Sequence, residues 1–264
     1  MRAASVQPMQ HRHAPYRGIG VPLVTLFDDH GALDAGATGR HAARLVDDGV
    51  EAVVVAGSTG EAASLEPDER LDLLVAVREA VAGRVPVIAG TGAASMRQAV
   101  ALSQQAADAG ADALLVLSPP WVDDPRPYYD AVTGAVGVPV LAYHYPTASA
   151  PGIPVDVVGD LPVAGMKDST GDPSRLAIEL DAMPEGLYTG SAAVLLQAKA
   201  MGASGAIVAL ANLDVAGCQR AWDGDGACQR ELVNGHRSAA LSGVRGLKRA
   251  LAARYGTSPT TRLG

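Results

Sequence analysis

Lysine is nearly absent from this sequence: its 264 residues hold three, against eighteen arginines. Cysteine is scarcer still, represented by Cys218 and Cys228 alone. They lie ten residues apart in helix-like sequence, without a paired-cysteine spacing, and read as free thiols of a reducing cytoplasm rather than a disulfide or zinc site. An excess of positive charge is also missing. The formal net charge is −7, and no basic stripe offers to neutralise phosphates, which argues against a nucleic-acid partner. No apolar run approaches the ~18 residues of a membrane span. The N-terminus has no apolar signal core, so residues 1–15 read as a flexible polar leader. The six histidines, at 11, 13, 30, 41, 144 and 236, are scattered. None belongs to a His-x-x-x-His pair, and no metal is expected. Gly18-Ile-Gly20 and Gly90-Thr-Gly92 lack the glycine spacing and acidic partner of a dinucleotide fingerprint.

What remains is rich in Ala, Val, Leu and Gly, and 48% of it is hydrophobic, a composition that suits buried parallel strands under helices. Short apolar runs recur at 21–27, 51–56, 85–89, 112–117, 138–143, 163–166, 186–190 and 204–210. Between them lie helical stretches with ordinary start and stop signals, such as Asp34 before the first, Gly49 after it, and Pro67 opening the second. Eight strands alternating with eight helical stretches at ~25–30-residue spacing predict a closed (β/α)8 TIM barrel, favoured over an open doubly wound sheet. The expected layout is the leader, a barrel over 16–212, and the last barrel helix with a short C-terminal helical extension over 213–264.

In such a barrel the strand C-termini and following loops form the active face. The sixth strand delivers Lys167 there, followed by the turn-rich Asp168-Ser-Thr-Gly-Asp172. Burial at an apolar strand mouth disfavours an ammonium, and a neutral amine there can attack a carbonyl and form a Schiff base. Lys199 and Lys248 sit in helix-like sequence and read as solvated. Tyr143 ends the fifth strand, where its phenol either moves protons in such chemistry or packs the barrel rim. Gly57-Ser58-Thr59-Gly-Glu61 presents backbone N–H groups and two hydroxyls, as either a carboxylate or phosphate nest or an ordinary βα turn. Glu61 and Asp168 either help the chemistry electrostatically or, as acids in such turns more often do, cap helices. Trp121, Gly190 and Ile207 fall on the same face, and His144 reads as a solvated rim residue.

The order and spacing of Gly57–Glu61, Ala89-Gly-Thr-Gly92, Tyr143-x-x-Pro146, Gly165-Met-Lys-Asp-Ser-Thr-Gly-Asp172 and Gly202-x-x-Gly205-x-Ile207 resemble the dihydrodipicolinate synthase / N-acetylneuraminate lyase family of class I aldolases. The resemblance runs from Gly18 to about Leu263. It implies a cofactor-free lyase in which Lys167 forms the Schiff base with pyruvate or another 2-oxo acid and Tyr143 transfers protons. In this resemblance Ser58 and Thr59, in the turn that opens with Gly57, bind the carboxylate, Gly190 and Ile207 line the pocket, and an aldehyde is the second substrate. It also implies a homo-oligomer, tetramer or dimer. Two positions depart from the synthase pattern: Trp121 stands in the stretch where the synthase has its relay tyrosine, and Ala148 stands where it has a carboxylate-anchoring arginine. These departures point to Trp121 as a substrate-binding candidate and weigh against the synthase itself. A Schiff-base sugar-acid dehydratase and an inactive 2-oxo acid-binding paralogue are the alternatives.

Overall fold

Eight short strands, β1 (Gly18–Pro22), β2 (Ala52–Val55), β3 (Val87–Gly90), β4 (Ala113–Leu117), β5 (Val140–His144), β6 (Gly165–Asp168), β7 (Leu187–Thr189) and β8 (Gly205–Ile207), pair in parallel and close into one barrel. The closing register sets Ile19 against Ala206 and Gly20 against Ile207. The computed structural model describes residues 14–263, apart from the side chains of 239–241. Most of the expected leader, residues 1–13, lies outside the described residues.

Alternation along each strand divides the core in two, because successive side chains point to opposite faces. Ala52, Val54, Ile88, Ala113, Leu115, Leu141, Tyr143, Tyr188 and Ile207 fill the barrel. Val53, Val55, Leu114, Val116, Ala142 and Met166 point outward under the helices. Tyr16 enters ahead of β1 and closes the N-terminal end, stacked on Tyr188 at 4.7 Å with its hydroxyl donating to Ala206 O at 2.9 Å.

The covering helices are α1 (Ala35–Asp47), α2 (Pro67–Val81), α3 (Met96–Asp108), α4 (Arg126–Thr133), α5 (Pro173–Ala182), α6 (Leu195–Met201) and α7 (Val215–Trp222). Their starts follow the local chemistry: Asp34 accepts from Ala37 N at 2.7 Å, Ser95 from Gln98 N at 3.2 Å and Asp172 from Ser174 N at 2.8 Å. The extension is α8 (Gly226–Tyr255), broken at Gly243, where φ is +57°.

Two expectations are corrected. The first strand is Gly18–Pro22, not 21–27. Leu23 N still donates to Val54 O of β2 at 2.9 Å, but beyond it Val24 N turns to Asn212 Oδ1 and Leu26 N to Thr38 Oγ1, so the apolar run continues without a ladder. After β5 there is no α-helix: Pro146, Pro151 and Pro154 leave only a 3-10 turn at Val155–Asp160.

Candidate active site

The β5–β6 register sets Tyr143 directly beside Lys167, and His144 beside Asp168. Neighbours in register share a face, so lysine and phenol both enter the barrel mouth. Lys167 is 4% exposed, and its Nζ stands 4.3 Å from the centre of the Tyr143 ring, within range of a cation–π contact when the amine is charged. Tyr145 stacks on Tyr143 with centroids 5.9 Å apart. Ser169 Oγ donates to the Tyr143 hydroxyl across a long 3.5 Å.

Gly190, just past β7, closes the other side of the lysine. Its N–H donates to Asp168 O at 2.6 Å, and a Cβ built there would lie 2.8 Å from Lys167 Cε and closer still to Ser169. A side chain there would force Lys167 or Ser169 to shift. Ile207, at the end of β8, is fully buried among the interior residues with Tyr143.

The turn after β2 is tight: Gly60 N donates to Gly57 O at 3.0 Å, Glu61 N to Ser58 O at 3.1 Å and Ala62 N to Gly57 O at 3.2 Å. Thr25 Oγ1 donates to Gly60 O at 2.7 Å and pins it to the segment after β1. Ser58 and Thr59 are half-buried. Ser58 also lines a cavity of ≈710 Å³ that runs outward past Leu117, Ser118, Pro120, Ala148 and Ser149. Lys167 and Tyr143 stand outside this cavity's lining. Ser118 Oγ is buried there with no hydrogen-bond partner among the described residues. Arg70, also in the wall, has its guanidinium turned to Ala62 O (2.6 Å) and Gly90 O (3.4 Å), and burial lowers its pKa.

Behind Lys167 lies a polar layer. Asp168 accepts from Thr170 N at 2.9 Å and Thr170 Oγ1 at 2.6 Å, and burial raises its pKa. It therefore shapes its own turn rather than capping a helix. Burial first, and then Asp168, push the Glu179 carboxyl up to about 8, although Arg175 Nε approaches to 2.6 Å and opposes this.

Besides Asp168, four sequence readings change. Trp121 is 88% exposed, on a backbone at φ +60°, and its ring projects into solvent, so it is not brought together with Lys167. His144 is no solvated rim residue: it is buried, its Nδ1 accepts from Ile153 N at 2.8 Å, and burial lowers its pKa to about 4. Lys248 is not solvated but fully buried, with Nζ 2.5 Å from Glu61 Oε1. Glu61 caps no helix with its side chain and serves as that partner. The contributions of Ser169, Tyr145 and Lys248 were not foreseen; for Lys248 the rarity of lysine was the one available signal.

Among the described residues, no group of three His, Cys, Asp or Glu side chains is placed to hold a metal. Among the same residues, no helix is long and apolar enough to cross a membrane.

Comparison with known proteins agrees with the barrel fold. Residues 15–238 match the model of the dihydrodipicolinate synthetase family. An uncharacterised DapA-like lyase of Halobacterium salinarum is 37% identical over 259 residues, covering 90% of this chain and 84% of the relative. A 4-hydroxy-tetrahydrodipicolinate synthase of Natronomonas pharaonis is 34% identical, covering 83% and 80%. Among solved structures, YagE, a prophage protein of the dihydrodipicolinic acid synthase family from E. coli K12 in complex with pyruvate, superposes with a TM-score of 0.86. It is 25% identical, with coverage of 93% and 91%. The barrel, the lysine at the end of β6 and these relatives lead to one conclusion: the chain belongs to the dihydrodipicolinate synthetase family and is a lyase of the Schiff-base, class I aldolase type.

Proposed function

We propose that this lyase uses Lys167 to form an imine with pyruvate or another 2-oxo acid and makes or breaks a carbon–carbon bond through the derived enamine. The observation that carries the reading is the buried Lys167 amine set against the Tyr143 ring at 4.3 Å. The neutral amine adds to the keto carbon, and the carbinolamine loses water to give a cationic iminium. Tyr143 carries protons in these steps and takes one from C3, leaving the enamine, whose carbon attacks an aldehyde. Cleavage runs the same steps backward. The iminium is its own electron sink.

Ser58 and Thr59, with the N–H groups of their turn, hold the carboxylate. The ≈710 Å³ cavity beginning at Ser58 receives the aldehyde portion. Ala148 in its wall offers no charge to a second carboxylate, which favours an acceptor other than an acidic aldehyde over the synthase reaction. Homo-oligomeric assembly belongs to the same reading, as does a place in a reducing cytoplasm, where Cys218 and Cys228 stay free.

Borohydride reduction in the presence of pyruvate, followed by peptide mapping, tests the mechanism. A stable adduct is expected on Lys167, and none in Lys167→Ala. An adduct on another residue, or turnover retained by Lys167→Ala, would overturn it.

A further inference from the structure

The turn that carries Ser58 and Thr59 is bracketed by two non-glycine residues in the left-handed region, Ala56 at φ +51° and Glu61 at φ +55°. Each costs on the order of 1 kcal/mol or more and persists only where surrounding structure enforces it. For Glu61 the enforcing structure comes from the far end of the chain. Its Oε1 accepts from Lys248 Nζ at 2.5 Å, and its Oε2 from the backbone N–H groups of Arg262 at 2.8 Å and Leu263 at 2.9 Å. Both side chains of the ion pair are fully buried.

The donors are themselves held. Lys248 Nζ also donates to Thr260 O at 2.8 Å and stands over the Phe27 ring at 4.2 Å. Arg262 makes a two-pronged bond to Glu69, at 2.6 and 2.7 Å, and donates to Ser64 O at 3.0 Å and Gly31 O at 2.7 Å. The segment after α8 is thereby fixed on both sides of Glu61.

Stability alone does not call for this arrangement, since an apolar pair of similar volume generally serves a core as well as a buried ion pair. An apolar pair would not direct the turn. It would also not supply the cation that neutralises a buried carboxylate two residues from Thr59. An unneutralised Glu61 would repel any anion bound at Ser58 and Thr59.

We propose that Glu61 is a positioning residue for the 2-oxo acid carboxylate, held by Lys248 and the backbone of Arg262 and Leu263. The role rests on the reading that Ser58 and Thr59 hold that carboxylate, and it acts through their turn, without contact to the reacting atoms.

The test measures borohydride trapping at Lys167 against concentration for two ketones, pyruvate and carboxylate-free acetone, in wild type, Glu61→Gln, Lys248→Met and Thr59→Val. Folding is checked by near-ultraviolet circular dichroism. Lys248→Met leaves the Glu61 carboxylate without its cation, held only by the two backbone N–H groups, and should raise the half-trapping concentration of pyruvate about tenfold, the worth of one charge-assisted bond. Glu61→Gln, which weakens the bonds from Lys248, Arg262 and Leu263 that hold the turn, should raise it several-fold. Acetone should stay within about twofold for both, because it makes no use of the turn. Equal losses for the two ketones would reduce the pair to a structural role and overturn the proposal, as would unchanged pyruvate trapping. If Lys248→Met fails to fold, Glu61→Gln decides alone. Thr59→Val separates the layers. If it fails to distinguish the ketones, the carboxylate reading itself falls. If it distinguishes them while the Glu61 and Lys248 variants do not, only the positioning role falls.

Discussion

Replacing Gly190 with alanine places a methyl 2.8 Å from Lys167 Cε. Carbon atoms settle at ~3.5–4.0 Å, so lysine or strand must yield by roughly 1 Å. Ser169 is crowded more severely, and it is the hydroxyl that reaches Tyr143. The cost to folding is that of one overpacked methylene, about 1–3 kcal/mol. In a chain of this size that lowers Tm by ~2–4 °C per kcal/mol. The cost to chemistry should be larger, because ~1 Å of misplacement at a reacting group is worth about 10²-fold in rate. Gly190→Ala should therefore fold, melt a few degrees early and form the Lys167 imine about 100-fold more slowly. Stopped-flow imine formation and a thermal melt on the same preparation measure both. Gly137→Ala is the control, since nothing lies within 4 Å of a Cβ there. A Gly190→Ala enzyme that forms the imine within about threefold of wild type would refute the reasoning. It would mean that the lysine has room the packing denies it.

Two further outcomes follow from the same geometry. Tyr143→Phe keeps the ring stacked on Tyr145 and under the Lys167 amine but removes the proton carrier. It should lower kcat about 10²–10⁴-fold with KM for the 2-oxo acid little changed; the reverse pattern would assign the phenol to binding. The buried His41 and His144 give the second. Burial first, then Arg44 for His41 and Arg175 for His144, lowers each pKa from 6.5 to about 4. Between those values the unfolded chain binds more protons than the native one. Stability is thus fully present above the unfolded pKa and is lost as pH falls toward 4, by about 2–3 kcal/mol per histidine. Urea midpoints at pH 7 and 4.5 should show the loss, and the double variant His41→Asn/His144→Asn should flatten it. An equal slope in the variant would trace the loss to other groups.

The parts of this molecule legible in its sequence are those specified locally. β4 is an unbroken apolar run ending before a Pro-Pro pair, and Lys167 stands out because lysine is nearly absent and this one ends a strand. Where the backbone is claimed by distant side chains, local pattern misleads. Residues 24–27 look like strand, but Asn212 and Thr38 take N–H groups that a ladder would use. Lys248 looks like a solvated helix residue because its partner, Glu61, lies 187 positions away and is brought to it only by barrel closure. Position along the chain points Trp121 to the pocket, but it stands exposed on a left-handed backbone, which a bulky residue seldom adopts.

These failures share a cause, and it locates function. Local preference is violated at Ala56, Glu61 and Trp121, three of the four non-glycine residues at positive φ among the described residues and all on loops of the active face; the fourth, Ala82, ends α2. A strained loop keeps its shape only if something remote holds it, and for Glu61 that holder is a buried lysine with two backbone amides. In a TIM barrel the strands set where the lysine stands. What the neighbouring loops present to it depends on such remote holds, which no short window of sequence contains.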